Sequence, residues 1–239
     1  MGLFDKKYCS ICGEKIAFLG NRKLEDGNLC KNCARKLSPF FSERRHSTVE
    51  EIREQLSYRE ANRDKVAAFR PTRTFNCREY LILDEDKRQL IVTDSKNWKD
   101  QNPDVIDFAD VTGCDLDIDE SRTEIYHKNA EGKQVSYEPK RYEYSYDFNM
   151  TIAVNNPYFN EIPIRINNSE ISHRISAEYR QADRLSTEIR ELLVGLREDH
   201  RKAVEAAAAP KKKVVCPYCG ATTIPDERGC CEYCGAPVA

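Results

Sequence analysis

Eight of the eleven cysteines in this 239-residue chain fall into four Cys-x-x-Cys pairs. Cys9/Cys12 and Cys30/Cys33 are spaced C-x2-C-x17-C-x2-C, and Cys216/Cys219 and Cys231/Cys234 are spaced C-x2-C-x11-C-x2-C. Two cysteines three positions apart reach one metal ion from a single tight turn. Two such pairs complete the tetrahedron of soft ligands that zinc takes in structural sites. Gly13, Gly220 and Gly235 each follow a pair and supply the backbone freedom that a metal knuckle needs. The pattern predicts two structural zinc ions. One is held by Cys9, Cys12, Cys30 and Cys33, the other by Cys216, Cys219, Cys231 and Cys234. Cys230 stands beside Cys231 and competes for the third position, but only Cys231 makes a Cys-x-x-Cys-Gly knuckle with Cys234. A metal closed in by four thiolates keeps no position for water or substrate, so its role is architectural. Redox chemistry by the pairs is the alternative.

Other constellations fail on spacing. Asp115, Asp117 and Asp119 begin like a calcium loop, but Glu120 stands where glycine is required and Tyr126 where the closing glutamate belongs. His46, His127, His173 and His200 are scattered without ligand or triad spacing. No phosphate-binding glycine loop, nucleophile elbow or His-Glu-x-x-His is present. Cys77 and Cys114 read as buried core thiols on strands. The chain is therefore expected not to be an enzyme.

Composition places these sites in a soluble protein: 40% of residues are hydrophobic, 33% are charged and mean hydropathy is −0.71. No apolar run approaches the roughly eighteen residues of a membrane span. The opening residues lack the apolar stretch of a secretory signal. Paired thiols without such a signal point to a reducing cytoplasm and metal rather than disulfides. Charge is unevenly spread: net +5 over residues 1–46, −9 over 47–200 and +2 over 201–239. Each zinc tetrathiolate lowers these sums, giving about −6 for the chain and about +3 for the N-terminal unit.

The elements that carry the cysteines divide the chain into five parts: an N-terminal zinc unit (1–46), a connecting helix (47–70), a β-rich domain with a C-terminal helix (71–200), a flexible linker (201–213) and a C-terminal zinc unit (214–239). In the first, turn signals at Gly20-Asn21 and Asp26-Gly27 imply a small hairpin, and a helix-permissive run follows Cys33, so a treble-clef-like arrangement is expected. Ser47-Thr-Val-Glu50 has the form of a capping box, with Val49, Ile52 and Leu56 at helical spacing up to Pro71. Tyr80-Leu-Ile-Leu83 and Gln89-Leu-Ile-Val92 suggest a hairpin. Tyr142, Tyr144, Tyr146, Phe148, Met150, Ile152 and Val154 alternate with polar or small residues, the mark of a strand with one dry face. Ile162, Ile164 and Ile166 form another. Ile171, Ile175, Ala182, Leu185, Ile189, Leu192 and Leu196 then make a helical stripe, capped by Asn168 or Ser169. The helix is longer than capping a sandwich requires, so its distal half offers a surface for a partner or a second copy.

Resemblances to known families follow from these residues. Gly2-Leu-Phe-Asp-Lys-Lys-Tyr-Cys-Ser-Ile-Cys-Gly-Glu-Lys-Ile16, with Asn21-Arg-Lys-Leu-Glu-Asp-Gly-Asn-Leu-Cys30 and Ser38-Pro-Phe-Phe41, resembles an uncharacterised bacterial family with an N-terminal cysteine-rich domain of unknown function. That likeness implies metal binding by Cys9, Cys12, Cys30 and Cys33 in a bacterial cytoplasm, and brings no activity. The C-terminal pattern resembles short bacterial zinc ribbons. About seven strands followed by a helix is the element order of pleckstrin-homology-like domains, and Val105-Ile-Asp-Phe-Ala-Asp-Val111 is similar to a stretch of their bacterial members. The fold expected is thus multidomain α+β: zinc finger, helix, antiparallel β-sandwich or barrel with a long helix, and zinc ribbon.

Closed metal sites and the lack of a catalytic constellation predict an interaction or adaptor protein that docks other proteins. The alternative is a nucleic-acid-binding regulator, with Lys15, Arg22, Lys23, Lys31, Arg35 and Lys36 on phosphates; the first cysteine spacing also resembles GATA-type fingers. A third reading places the β domain on membranes, against which its −9 charge argues.

Overall fold

In the computed structural model, which describes residues 6–208, 213–226 and 228–238, the chain divides into two units between Arg197 and Glu198. The first unit opens with the cysteine-rich segment. β1 (Arg22–Lys23) and β2 (Asn28–Leu29) form an antiparallel hairpin, and the four-residue α1 (Lys31–Ala34) follows at once. The hairpin turn is closed by the Leu24 N–H donating to the Gly27 carbonyl at 3.0 Å. Only glycine fits there, because a Cβ on Gly27 would lie 2.6 Å from Val49 Cγ2 and 2.7 Å from Ser10 Oγ. Ile16, Leu24, Leu29, Leu37 and Ile52 gather around Cys9, Cys30 and Cys33 as a small core.

α2 (Val49–Ala68) begins one residue later than the Ser47–Glu50 pattern suggests. Its capping box is Thr48 with Glu51: Thr48 Oγ1 accepts from the Glu51 N–H at 3.3 Å, and the Glu51 carboxylate accepts from the Thr48 N–H at 2.7 Å. Asp26 sets this start by accepting from the Val49 N–H at 2.7 Å. Ser47 instead donates to the Glu43 carbonyl at 3.0 Å, closing a short 3-10 turn. Steps of three and four put Ile52, Gln55, Arg59, Asn62 and Val66 on one buried face. Three of these are polar, so apolar spacing reveals only the first part of the face.

The partners of that polar face lie some forty residues away. Arg59 donates to Asp104 Oδ1 at 2.7 Å, to the Lys36 carbonyl at 3.2 Å and, more closely, to the Asn102 carbonyl. Asn62 donates to the Pro103 carbonyl at 2.7 Å and accepts from the Val105 N–H at 3.0 Å. Ser38 donates to Asp104 Oδ2 at 2.7 Å. A buried network therefore ties the cysteine-rich segment and α2 to the β body. Burial pushes the Asp104 carboxyl up from its ordinary range, and Arg59 and Ser38 oppose that shift.

The body holds two antiparallel sheets. β3 (Arg73–Asn76), β4 (Tyr80–Asp84), β5 (Gln89–Thr93) and β6 (Ile106–Asp107) pair in that order, with the one-turn α3 (Trp98–Gln101) between β5 and β6. The apolar runs of β4 and β5 are continuous because both their faces are covered. Leu81, Leu83, Leu90 and Val92 join the main core, while Ile82 and Ile91 pack with Val66, Phe69, Trp98 and Val105. β7 (Val111–Lys128), β8 (Gln134–Val154) and β9 (Glu161–Arg165) make the second sheet. On its inner face Tyr146, Phe148, Met150, Ile152 and Val154 are buried, as alternation requires. Farther out, Tyr144 is half-buried against the edge of the core, and Tyr142 is half-buried beyond it, where the β7–β8 hairpin runs on as an arm.

α4 (Ala177–Ala208) closes the main core with Ala182, Ile189 and Leu193. It starts well after the expected Asn168 or Ser169. Ser176 is its cap: Oγ accepts from the Tyr179 N–H at 3.1 Å. Asn167 explains the delay. Its side chain accepts from the Phe148 N–H at 2.8 Å and donates to the Ser169 carbonyl at 2.9 Å, holding the segment extended along β8. Ile171 therefore bridges Tyr146 in the sheet, and Ile175 is 86% exposed rather than part of the stripe. Of the expected linker, residues up to 208 are helical and 209–212 lie outside the described residues. In the second unit β10 (Val214–Val215) pairs with β11 (Thr222–Thr223).

Candidate metal centres

The first group is built by two different devices. Cys9 and Cys12 sit on a knuckle in which the Gly13 N–H donates to the Cys9 carbonyl at 2.8 Å and the Cys9 N–H donates to the Glu14 carbonyl at 2.9 Å. Gly13 has φ of +73°, the left-handed conformation that the turn demands. Cys30 and Cys33 come from a helix start. Cys30 is the cap residue of α1, and its sulfur accepts from the Cys33 N–H at 3.3 Å. The Cys30 N–H in turn donates to Cys9 Sγ at 3.3 Å, linking the two devices. The four sulfurs lie within 4.8 Å of one another.

The second group repeats one device twice. The Gly220 N–H donates to the Cys216 carbonyl at 2.9 Å, and the Gly235 N–H to the Cys231 carbonyl at 2.8 Å. The Cys216 N–H donates to the Ala221 carbonyl at 2.9 Å, and the Cys231 N–H to the Ala236 carbonyl at 2.8 Å. Cys216, Cys219, Cys231 and Cys234 bring their sulfurs within 4.8 Å of one another. Cys230 is not in this group; its thiol points to the Arg228 carbonyl at 3.7 Å.

The donor sets fit zinc. Zn–S bonds of about 2.3 Å in a tetrahedron require S···S edges of roughly 3.8 Å. The separations are 3.7 Å for Cys12–Cys30, 3.6 Å for Cys216–Cys234 and 3.7 Å for Cys219–Cys231. A disulfide would need about 2.05 Å, and all eleven cysteines are free.

Electrostatics says the same. Burial raises the Cys9 thiol, but N–H groups of Cys12, Cys30 and Ile11 outweigh it and bring Cys9 down to about 6. Cys33 is pushed far up, first by burial and then by the neighbouring sulfurs of Cys12, Cys30 and Cys9. In the second group burial again works against Cys231, yet the Cys234 and Tyr233 N–H groups lower it to about 6. Cys234 receives the Ala236 N–H, but desolvation and the other three sulfurs lift it to about 12. Each group thus favours a first thiolate and resists a fourth. A bound dication removes that conflict, since all four ligands must be deprotonated.

The remaining candidates belong to neither cysteine group. No histidine joins a cluster of potential ligands among the described residues. Asp115, Asp117 and Asp119 line the exposed face of β7, and Asp119 accepts from Asn149 at 3.0 Å. Cys77 is buried, with its thiol pushed up to about 12 by desolvation and then by Glu79. Burial lifts Cys114 to about 11. Sequence reasoning missed the Ser38–Arg59–Asn62–Asp104 network, for which no local pattern gives a signal.

A family model described as a domain of unknown function, DUF4428, matches residues 7–55. The match spans the first cysteine group and reaches into the start of α2. No curated protein and no solved structure matches the chain. No helix among the described residues is long and apolar enough to cross a membrane.

Proposed function

We propose that this chain is a non-enzymatic, zinc-stabilised adaptor of the bacterial cytoplasm. In this reading a treble-clef-like finger is fastened to a pleckstrin-homology-like sandwich, and a zinc ribbon follows the long helix. One observation carries the proposal: both ligand sets are complete with four sulfurs. A metal so enclosed stabilises structure and leaves no vertex for a substrate.

The β7–β8 arm is the surface proposed to receive a protein partner. Along it the sheet's inner face continues from Phe148 opposite Ile118 to Tyr144 opposite Arg122 and Tyr142 opposite Glu124. The Arg122 guanidinium lies 4.9 Å from the Tyr142 ring centroid. Tyrosine and arginine on a projecting ribbon are the residue types that interface centres favour. A photo-crosslinker placed at Tyr142 should trap one recurrent protein, and Arg122→Ala with Tyr144→Ala should abolish the trapping while the fold persists. Repeated failure to trap any protein, or trapping that the variant does not alter, would refute the assignment.

A further inference from the structure

The N-terminal cysteine unit exposes an apolar turn that its own core does not use. The Gly20 N–H donates to the Ala17 carbonyl at 2.8 Å, so Phe18 and Leu19 form the corners of a tight turn. Their exposures are 82% and 85%, while Ile16, Leu24 and Leu29 beside them are buried. Corner positions ordinarily take glycine, proline or small polar residues. The turn is also braced. Ile16 anchors its entry, with its N–H donating to the Lys7 carbonyl at 2.8 Å, and Asn21 at its exit donates to Asn28 Oδ1 at 2.9 Å.

Cations flank this tip on both sides in the chain. Tyr8 bridges Lys15, which runs Lys6 and Lys7 alongside the entry to the turn; Arg22 and Lys23 lead away from it. Residues 6–24 carry five lysines and arginines and one acid, Glu14, a net charge of +4, and the acids Glu25 and Asp26 lie in the hairpin turn that follows. A zinc tetrathiolate would leave about +2. Arg44 adds to this face, donating to the Lys23 carbonyl at 2.7 Å. Residues 47–200, by contrast, carry −9.

An exposed apolar tip flanked along the chain by exposed lysines matches the boundary between anionic headgroups and acyl chains. We propose that the N-terminal unit docks on an anionic lipid bilayer, with Phe18 and Leu19 entering the boundary and Lys6, Lys7, Lys15 and Lys23 on lipid phosphates. This places membrane contact on the cysteine unit rather than on the acidic β body. A braced turn enters the interface without the ordering cost of a flexible loop.

The test uses the full-length, zinc-loaded protein sedimented with phosphatidylcholine vesicles, with and without phosphatidylglycerol. The protein should partition onto the anionic vesicles and be released by salt. Phe18→Ser with Leu19→Ser should weaken partitioning roughly tenfold or more, with zinc content and circular dichroism unchanged. Should that variant lose metal or fold, Lys15→Glu with Lys23→Glu decides, because both side chains are exposed; each reversal should cost about fivefold or more. Phe18→Trp should shift its emission to the blue on anionic vesicles, against a buried Trp98 background. No partitioning, equal partitioning onto neutral vesicles, or wild-type partitioning by a folded variant would overturn the proposal. So would binding to a single-stranded oligonucleotide that the same variants abolish while vesicles are ignored.

Discussion

The two four-cysteine units share a ligand set and one kind of knuckle, and differ in the rest of what surrounds the sulfurs. The first pairs a knuckle with a helix cap, collects Ile16, Leu24, Leu29, Leu37 and Ile52 around its sulfurs, and is fastened to the β body through Ser38, Arg59 and Asp104. The second uses two matching knuckles, and among its described residues only Cys216, Thr223 and Cys231 are buried. A unit of that size cannot fold on apolar burial alone. The contrast teaches that one four-sulfur ligand set sits on an apolar core in the N-terminal unit and nearly without one in the C-terminal unit, so that a bound metal would reinforce the first and create the second.

The sharpest way to break this comparison is to remove one ligand from each unit. Cys219→Ser should unfold the whole C-terminal unit, since metal binding supplies about 10–16 kcal/mol in finger-sized peptides. Cys12→Ser should loosen the first knuckle while Leu24, Leu29 and Ile52 stay packed. Amide exchange reads both: full loss of protection over residues 213–238 in one variant, and partial loss confined to residues 8–15 in the other. Equal collapse of both units would remove the distinction.

Next in size is the fastening of the first unit. Asp104→Asn leaves the Arg59 guanidinium buried without its counter-charge and should cost about 3–5 kcal/mol in urea unfolding. Replacing both residues with apolar ones should restore much of that loss. Gly27→Ala should cost about 1–3 kcal/mol, because the added methyl meets Val49 and Ser10. The smallest effect has the opposite sign. Gln55 is fully buried, and neither amide atom has a hydrogen-bond partner among the described residues. Gln55→Leu should therefore stabilise the protein by about 1 kcal/mol, seen as a higher urea midpoint with an unchanged slope.

What the sequence discloses depends on how local the cause is. The two cysteine groups are legible because ligand spacing and the glycine after a knuckle are fixed within a few residues. The inner face of β8 is legible for the same reason, since alternation from Tyr142 to Val154 is a property of one strand. α2 is only half legible: Ile52 follows helical spacing, but Arg59 and Asn62 are buried by Asn102, Pro103 and Asp104, which no periodicity announces. The start of α4 misleads because Ile171 and Ile175 sit at helical spacing while Asn167 holds the chain extended. The capping box slips by one residue because Asp26, distant in sequence, claims the Val49 N–H.

Metal content read together with structure after chelation tests the central claim most directly. Protein purified under reducing conditions with zinc present should hold two zinc ions per chain by native mass spectrometry. A strong chelator should then erase the amide dispersion of residues 213–238 in NMR spectra and leave the β body intact. Protein that contains no stoichiometric metal, and keeps the C-terminal spectrum unchanged in chelator, would contradict the account.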